Sequence, residues 1–310
     1  MSLGPTSPRL QFLQKTQNSD GGWGYFPGKQ SWIEPTVYAT LALSQNPASA
    51  PQVARAWNLI RSWELPQAGW QISPQIAEAN WTSALCINLY AARGICDSHL
   101  IRTVDWMIQT VGAEGGFLAR ARAAINPVPN ECDYGLQGWP WRPNTSSWVE
   151  PTAHAIIALN RAAVTFGNRI NLAGVRARID LAERMLLDRR CQDGGWNYGN
   201  RRVLRTWLPS FPDTTALALL GLLANRRAEA TTSLARAQDY WRGSTSPLAT
   251  AWLKICLRNY GLLSRQQSPP AAGGGPSQDI LLAAIQSLGE AAEEHCILGL
   301  PDSLAGRTSA

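Results

Sequence analysis

Lysine is scarce in this chain. Lys15, Lys29 and Lys254 are its only lysines, so arginine supplies the other 25 of the 28 basic residues. The net charge of +6 is dispersed, without a basic tail or a strip of alternating basic and aromatic residues, and we therefore expect no nucleic acid as a partner. The arginine excess has two open explanations, the codon bias of a GC-rich genome or an anion-binding surface.

Close cysteine pairs and long apolar runs are also missing. The six cysteines are scattered, which is typical of a reduced cytosolic protein and not of a disulfide framework. The longest apolar run, residues 216–224, is far too short to span a bilayer. Residues 1–8 contain no apolar run after a basic start, so no signal peptide is indicated. We expect a cytoplasmic protein with no cofactor and at most peripheral membrane contact.

Internal repeats are the main feature that is present. The segment at 31–43 (SWIEPTVYATLAL) returns at 147–159 (SWVEPTAHAIIAL) with eight of thirteen positions identical, and a looser copy stands at 210–222 (SFPDTTALALLGL). A second phrase, DGGW, occurs at 20–23 and at 193–196, each time upstream of one of these segments. Repeats at such spacings predict an array of supersecondary units.

The repeated segments read as buried helices. Pro35 and Pro151 suit the first helical position, and the residues after them are apolar or small on every side. The segments upstream are amphipathic instead, with one face for water. About five helical hairpins follow, with inner helices that begin near Trp32, Trp81, Trp148, Phe211 and Ser246. We predict an all-α fold, an α/α toroid with inner helices enclosed by outer helices at 8–17, 50–63, 99–110 and 172–190.

The pattern predicts four consecutive regions. The toroid covers residues 8–262, a Pro- and Gly-rich linker covers 263–277, an amphipathic helix covers 278–298, and a polar tail covers 299–310. The C-terminal helix has three possible roles: it caps the barrel, docks on a partner protein, or closes the last repeat.

The two Gly-Gly-Trp turns carry a family resemblance. Phe12-Leu13, Gln17 and Gly21-Gly22-Trp23 resemble the QW motif of squalene-hopene and oxidosqualene cyclases, and residues 185–196 nearly repeat it. The inner-helix segment resembles the prenyltransferase/squalene-oxidase repeat, which protein prenyltransferase β subunits share. The resemblance implies an α/α toroid in which the motif residues are structural, tying outer-helix ends to neighbouring repeats.

The same resemblance implies a proton donor. In squalene-hopene cyclases it is the middle Asp of a DxDD motif, and the Thr-Ala pair after that motif places Asp213 at the donor position. Phe211 and Thr214 replace the flanking acids, and the chain has length for one toroid where those cyclases have two. Such chemistry needs a carboxylic acid held protonated in a dry pocket, with aromatic faces to stabilise a carbocation. Trp32, Trp81 and Trp148 could line it, or could stack on helix ends.

Three carboxylates share one repeat position. Glu34, Glu150 and Asp213 should lie on one rim, either as caps of their helices or as groups that hold or protonate a ligand. His154 follows Glu150 by one turn, so the two could form an acid–histidine pair, although a lone buried histidine is often only a core residue. Tyr38 is the counterpart of His154 in the first repeat and is expected to point inward.

Long loops supply the remaining candidates. The connection at 113–147 and the loop with Arg201, Arg202 and Arg205 should lie on the same rim as the acids, where arginines could hold a prenyl diphosphate or simply be solvated. A zinc site is not predicted, because Cys132, Asp133 and His154 match the residue types but not the order of the prenyltransferase β-subunit ligands.

The leading hypothesis is a terpene-cyclase-like protein. It would bind an isoprenoid chain in the toroid and cyclise or isomerise it by protonation, with Asp213 as acid and Glu150 and His154 as helpers. Two alternatives stay open: a non-catalytic toroid scaffold, which the broken acid motif and the single toroid favour, and a prenyltransferase-like subunit that binds a partner protein through its C-terminal helix.

Overall fold

The computed structural model describes residues 7–115, 132–133, 135–269 and 277–291. These residues form eleven α-helices, three short 3-10 turns and two hairpins of two-residue strands. The helices are α1 Pro8–Lys15, α2 Ile33–Leu43, α3 Ala50–Ser62, α4 Thr82–Ala92, α5 Ser98–Gln109, α6 Val149–Phe166, α7 Leu172–Asp188, α8 Pro212–Leu222, α9 Arg227–Gly243, α10 Pro247–Asn259 and α11 Ile280–Gly289. The antiparallel strand pairs are β1 Trp139–Pro140 with β2 Ser147–Trp148, and β3 Arg202–Val203 with β4 Thr206–Trp207.

Six helices form a closed inner ring. In ring order they are α2, α4, α6, α8, α10 and α11, and each packs on the next, with α11 returning to α2. Their residues are apolar or small on nearly all sides, which is why they can be enclosed. The five predicted starts are confirmed, since the residue before each of the first five inner helices is the expected aromatic or serine.

The repeated prolines lie deeper in their helices than the sequence indicated. Pro35 and Pro151 occupy the third helical position, because α2 and α6 begin two residues earlier. A proline is tolerated there for the same reason as at the first position, since the first four N–H groups of a helix have no intrahelical partner.

The outer layer consists of α1, α3, α5, α7 and α9. Each packs on the inner ring through one apolar face, as α3 does on α2 and α7 does on α6. On α3 the buried residues Val53, Ala56 and Ile60 recur at helical spacing, while Arg55 and Arg61 face water. This two-layer arrangement confirms the all-α toroid.

Helix α11 is the sixth member of the inner ring. The N–H of Ile280, at its first position, donates to the carbonyl of Tyr25 at 2.9 Å. Val149 at the start of α6 makes the same bond to Tyr198, also at 2.9 Å. The helix therefore closes the ring between α10 and α2. Closing the last repeat is one of the three roles that the sequence left open for it. Residues 292–298 of the predicted helix, the tail and linker residues 270–276 lie outside the described part.

One outer position is open. Between α10 and α11 the described residues include no outer helix, and a groove of about 450 Å³ lies there instead. Its lining includes Phe12, Trp241, Pro247 and Leu282. The groove lies where the linker joins two inner helices without an outer helix between them.

Buried tryptophans connect the two layers at the turns. The indole N–H of Trp23 donates to the carbonyl of Leu13 at 2.9 Å, and Trp196 donates to Leu186 at 2.6 Å. Trp139, which the sequence analysis did not identify as a turn residue, makes the same bond to Met107 at 2.9 Å. These bonds end on carbonyls in the last turn of each outer helix, which agrees with the structural role that the resemblance implies.

The glycines before these tryptophans are required by the turn. Gly194 has a φ of +89°, a conformation that side chains rarely adopt. A Cβ at Gly195 would lie 2.4 Å from the hydroxyl of Ser210 and 2.6 Å from that of Thr215. The Gly-Gly pair therefore lets the chain reverse closely against the next inner helix.

Candidate functional site

A repeated hydrogen bond fixes equivalent positions on four inner helices. In each, a side-chain hydroxyl within the first four residues of the helix accepts a hydrogen bond from the backbone N–H of a tryptophan in the preceding turn, at 2.9–3.3 Å. These turn tryptophans are Trp23, Trp70, Trp139 and Trp196. The four accepting residues are Thr36, Ser83, Thr152 and Thr215. Because the same bond recurs, residues at equal spacing from these hydroxyls lie at equal depth in the ring.

The first layer stands two residues before each hydroxyl. It holds Glu34, Trp81, Glu150 and Asp213, and the three acids are half-buried. Each carboxylate belongs to the first turn of its helix, but the N-cap is the preceding aromatic residue and no side chain caps the helix. Capping by hydrogen bond, one of the two explanations for these acids, is therefore not observed.

The three acids differ in their partners. The hydroxyl of Tyr25 donates to the Glu34 carboxylate at 2.6 Å, and that of Tyr198 donates to Asp213 at 3.3 Å. Each tyrosine lies two residues after its turn tryptophan. In the repeat that leads to Glu150 the same place is occupied by Trp141, and within the described residues the Glu150 carboxylate has no hydrogen bond and no ion pair.

These surroundings keep Glu150 protonated. Burial raises its pKa to about 8, and the negative charges of Glu34 and Asp213 add to the effect. Burial also raises the pKa of Glu34, although the bond from Tyr25 opposes it. At neutral pH Glu150 is therefore mainly a neutral carboxylic acid beside other acids.

A second layer of aromatic rings lies one turn deeper. Tyr38 on α2, His154 on α6 and Trp252 on α10 have ring centroids 5.7–6.4 Å apart in each pair. None of these three helices is next to another in the ring, so the rings meet across its centre. They form a floor beneath the acids, and Trp81 extends it with a centroid 5.4 Å from that of His154.

The floor carries no charge at neutral pH. Burial lowers the pKa of His154 to about 3, and burial raises the pKa of the Tyr38 phenol well above its usual range. Burial is the whole cause for His154. His154 is thus a neutral imidazole one turn below Glu150, and the described residues contain no hydrogen bond or ion pair between the two.

The remaining predicted aromatic residues lie at the mouth. Trp32 is half-buried, with its ring centroid 6.2 Å from that of Tyr25. Trp148 is 38% exposed, and its ring packs on Gly199 in the following loop. Trp148 therefore lies against a neighbouring turn and does not reach the floor.

The predicted arginines are engaged with their own hairpin. Arg201 pairs with Asp188 at the end of α7, at 3.6 Å, and both Arg201 and Arg202 lie over the ring of Trp207. Arg205 is exposed at the hairpin tip with a φ of +66°. Residues 116–131 and 134 of the other long loop lie outside the described part.

Four residues of the site were not identified from the sequence. They are Tyr25, Trp141, Tyr198 and Trp252. The first three had a usable signal, because each stands two residues after a turn tryptophan. Trp252 had none, since its helix has lost the Gly-Gly-Trp turn that would show its register.

Metal binding and membrane spanning were searched in the same residues. No group of three or more His, Cys, Asp or Glu side chains in the described ranges could hold a metal ion. Among the helices of those ranges, none has the length and apolar character needed to cross a bilayer.

Comparison with known proteins gives a short sequence match. No protein-family model matches the chain. Drimenyl diphosphate synthase from Streptantibioticus cattleyicolor is 36% identical over 67 residues, which are 22% of this chain and 13% of that protein. The chain thus matches only a small part of that relative's length.

Solved structures match over nearly the whole chain. The type II terpene cyclase MstE from Scytonema, in complex with its substrate geranylgeranyl dihydroxybenzoate, is 17% identical with a TM-score of 0.56, over 94% of both chains. A mannosylglycerate hydrolase of family GH63 from Thermus thermophilus, in complex with glucose, is 10% identical with a TM-score of 0.57, over 91% of this chain and 99% of that one. The toroid is therefore shared by different chemistries. Together, these matches confirm the α/α toroid, the fold that the resemblance to squalene-hopene cyclases implies and that the type II terpene cyclase MstE also has.

Proposed function

We propose that the cup formed by the acid layer and the aromatic floor binds an isoprenoid chain and that Glu150 protonates one of its double bonds. The observation that carries this proposal is a carboxylic acid with a pKa near 8, unpartnered in the described residues, above a floor of neutral rings. The apolar floor suits a hydrocarbon chain, and a protonated acid is the group that alkene activation needs.

The proposed reaction uses only side chains of this protein. The Glu150 carboxyl gives its proton to one alkene carbon, which forms a C–H bond and leaves a cation on the other carbon. The faces of Trp81 and Trp252 stabilise that charge. In an isomerisation, a C–H beside the cation gives its proton back to the Glu150 carboxylate and a new double bond forms. In a cyclisation, a second double bond first attacks the cation, which forms the C–C bond of the ring and moves the charge to that double bond, and a C–H beside the new cation then gives its proton back to the Glu150 carboxylate.

Asp213 takes a different part in this proposal. The resemblance assigned it the donor position, but it lies in a more open setting and accepts a bond from Tyr198. Its interaction with Glu150, like that of Glu34, contributes to the raised pKa of Glu150. The single toroid does not weigh against catalysis, since the MstE chain is itself matched over 94% of its length.

Incubation with squalene, farnesol, farnesyl diphosphate and geranylgeranyl diphosphate, each separately in D2O, tests the proposal, and turnover of any one of them supports it. We expect a cyclised or isomerised product with one deuterium at the protonated carbon, formed by the native protein and Asp213→Asn but lost in Glu150→Gln. Loss in Asp213→Asn alone would return the donor role to Asp213. Binding without turnover in every variant would favour the non-catalytic scaffold.

A further inference from the structure

We propose that the ligand of the cup carries a neutral oxygen at its inner end, which accepts a hydrogen bond from the hydroxyl of Tyr38. This inference rests on the proposed function and deepens it, because it names the class of isoprenoid: an oxygenated chain such as a prenyl alcohol or ketone, and not a bare hydrocarbon.

Tyr38 is exceptional among the tyrosines that the structure describes. Its ring is 1% exposed, and its buried hydroxyl has no hydrogen-bond partner in the described residues. The other hydroxyls are all bonded, including those of Tyr90 to Glu64 and of Tyr260 to the Leu219 carbonyl at 2.8 Å. A buried hydroxyl without a partner destabilises the fold because no hydrogen bond offsets its loss of water, so phenylalanine would serve packing better at this position.

The place of the hydroxyl shows what could satisfy it. Tyr38 belongs to the floor, where its ring meets those of His154 and Trp252 across the centre of the toroid. In the proposed site, the inner end of a ligand held between the acids would lie at this floor. A site built to bond a polar group of its substrate discriminates strongly against the analogue that lacks it.

Charge decides which oxygen fits. Glu34 and Glu150 lie one turn above the floor, and the described floor residues include no arginine or lysine. A diphosphate or carboxylate placed there would meet acids and no counter-charge, so the anionic end of any substrate must stay at the mouth. Because the phenol remains protonated, it acts as a donor, and a hydroxyl, ether or carbonyl oxygen is the acceptor.

A matched pair of probes tests this inference. Farnesol and the hydrocarbon in which hydrogen replaces its hydroxyl are titrated by native mass spectrometry, in a Glu150→Gln background that prevents turnover. We expect farnesol to bind about tenfold more tightly and Tyr38→Phe to abolish that preference while it preserves hydrocarbon binding. Tyr260→Phe, whose hydroxyl is bonded far from the cup, should keep the preference.

The outcomes separate the two proposals. Equal binding of both probes, or a preference that survives Tyr38→Phe, would overturn the assignment of Tyr38 and leave isoprenoid binding intact. Failure of both probes to bind would refute the proposed function and this inference with it. Thermal unfolding supplies a second readout: Tyr38→Phe should unfold at the same or a higher temperature, and Tyr260→Phe at a lower one.

Discussion

The turn tryptophans and the acid layer repeat in the sequence to a similar degree, yet they behave differently in the structure. Trp23, Trp139 and Trp196 make the same two hydrogen bonds in each repeat, through the indole to an outer helix and through the backbone to an inner one. The acids occupy one repeated position as well, but their neighbours change. Glu34 and Asp213 each receive a bond from a tyrosine, whereas Glu150 follows a repeat with tryptophan in that place.

The comparison separates structural repetition from functional divergence. Where every copy has the same partners, as the turn tryptophans do, the residue holds the two layers together and has a structural role. Where one copy has no such partner, burial and the neighbouring acids raise the pKa of the carboxyl, and no tyrosine hydroxyl opposes that rise. The candidate site is therefore found at the repeat that departs from the others, the one that contains Glu150.

The largest expected effect is on turnover by Glu150→Gln. Removal of the proton donor should reduce the rate by about 10²–10⁴-fold, because glutamine keeps the size of the side chain but has no acidic proton. The product assay in D2O measures it. Asp213→Asn is the matched control, and a rate loss in that variant as large as in Glu150→Gln would remove the distinction between the two acids.

A turn tryptophan should instead affect stability. Trp196→Ala removes a fully buried ring and its bond to the Leu186 carbonyl, and we expect the free energy of unfolding to fall by about 3–5 kcal/mol. Trp148→Ala, at a ring that is 38% exposed, serves as the control and should cost less than half as much. Denaturant unfolding compares them, and equal losses would contradict the structural role of the turn.

The pH dependence of stability should differ between the native protein and Glu150→Gln. Unfolded Glu150 loses its proton near pH 4.5 and the folded protein near pH 8, so the folded state binds more protons between these values. Native stability should therefore fall as pH rises from about 4.5 to about 8. Between pH 5 and pH 8, the free energy of unfolding of Glu150→Gln relative to that of the native protein should rise by about 2 kcal/mol, a figure reduced for solvent screening. Parallel curves would show that Glu150 ionises normally.

A smaller change should result from giving Glu150 the partner that the other acids have. Trp141→Tyr introduces a hydroxyl at the place held by Tyr25 and Tyr198, and a bond to the carboxylate lowers its pKa. If activity requires protonated Glu150, the pH at which half of the activity is lost should be about one unit lower in this variant than in the native protein. Trp141→Phe separates this effect from the loss of packing on Trp81, and an identical shift in both variants would argue against the hydrogen bond.

Much of the fold could be predicted because it depends on local signals. Aromatic residues before apolar segments indicated the starts of four inner helices, Ser246 indicated the start of a fifth, and the Gly-Gly-Trp phrases indicated two turns. The C-terminal helix was predicted, but its place in the inner ring was only one of three open roles. That place depends on a bond between Ile280 and Tyr25, which are distant in sequence.

The site was predicted less completely for a related reason. Glu34, Glu150, Asp213, Tyr38 and His154 could be grouped by their repeat positions. The ranking of the acids could not be predicted, since it depends on which carboxylate receives a tyrosine hydroxyl. Trp252 joins the floor through the ring closure of six helices, which local patterns do not reveal.

The protonation state of Glu150 tests the central claim most directly. Glutamate labelled with ¹³C at the side-chain carboxyl gives one resonance for each residue, and Glu150→Gln identifies the signal of interest. Titration from pH 4 to pH 10 should show a midpoint near 8 for this carboxyl, shifted downward in Trp141→Tyr. A midpoint near 4.5 would show that Glu150 is an anion at neutral pH, and the proposed proton donor would then be wrong.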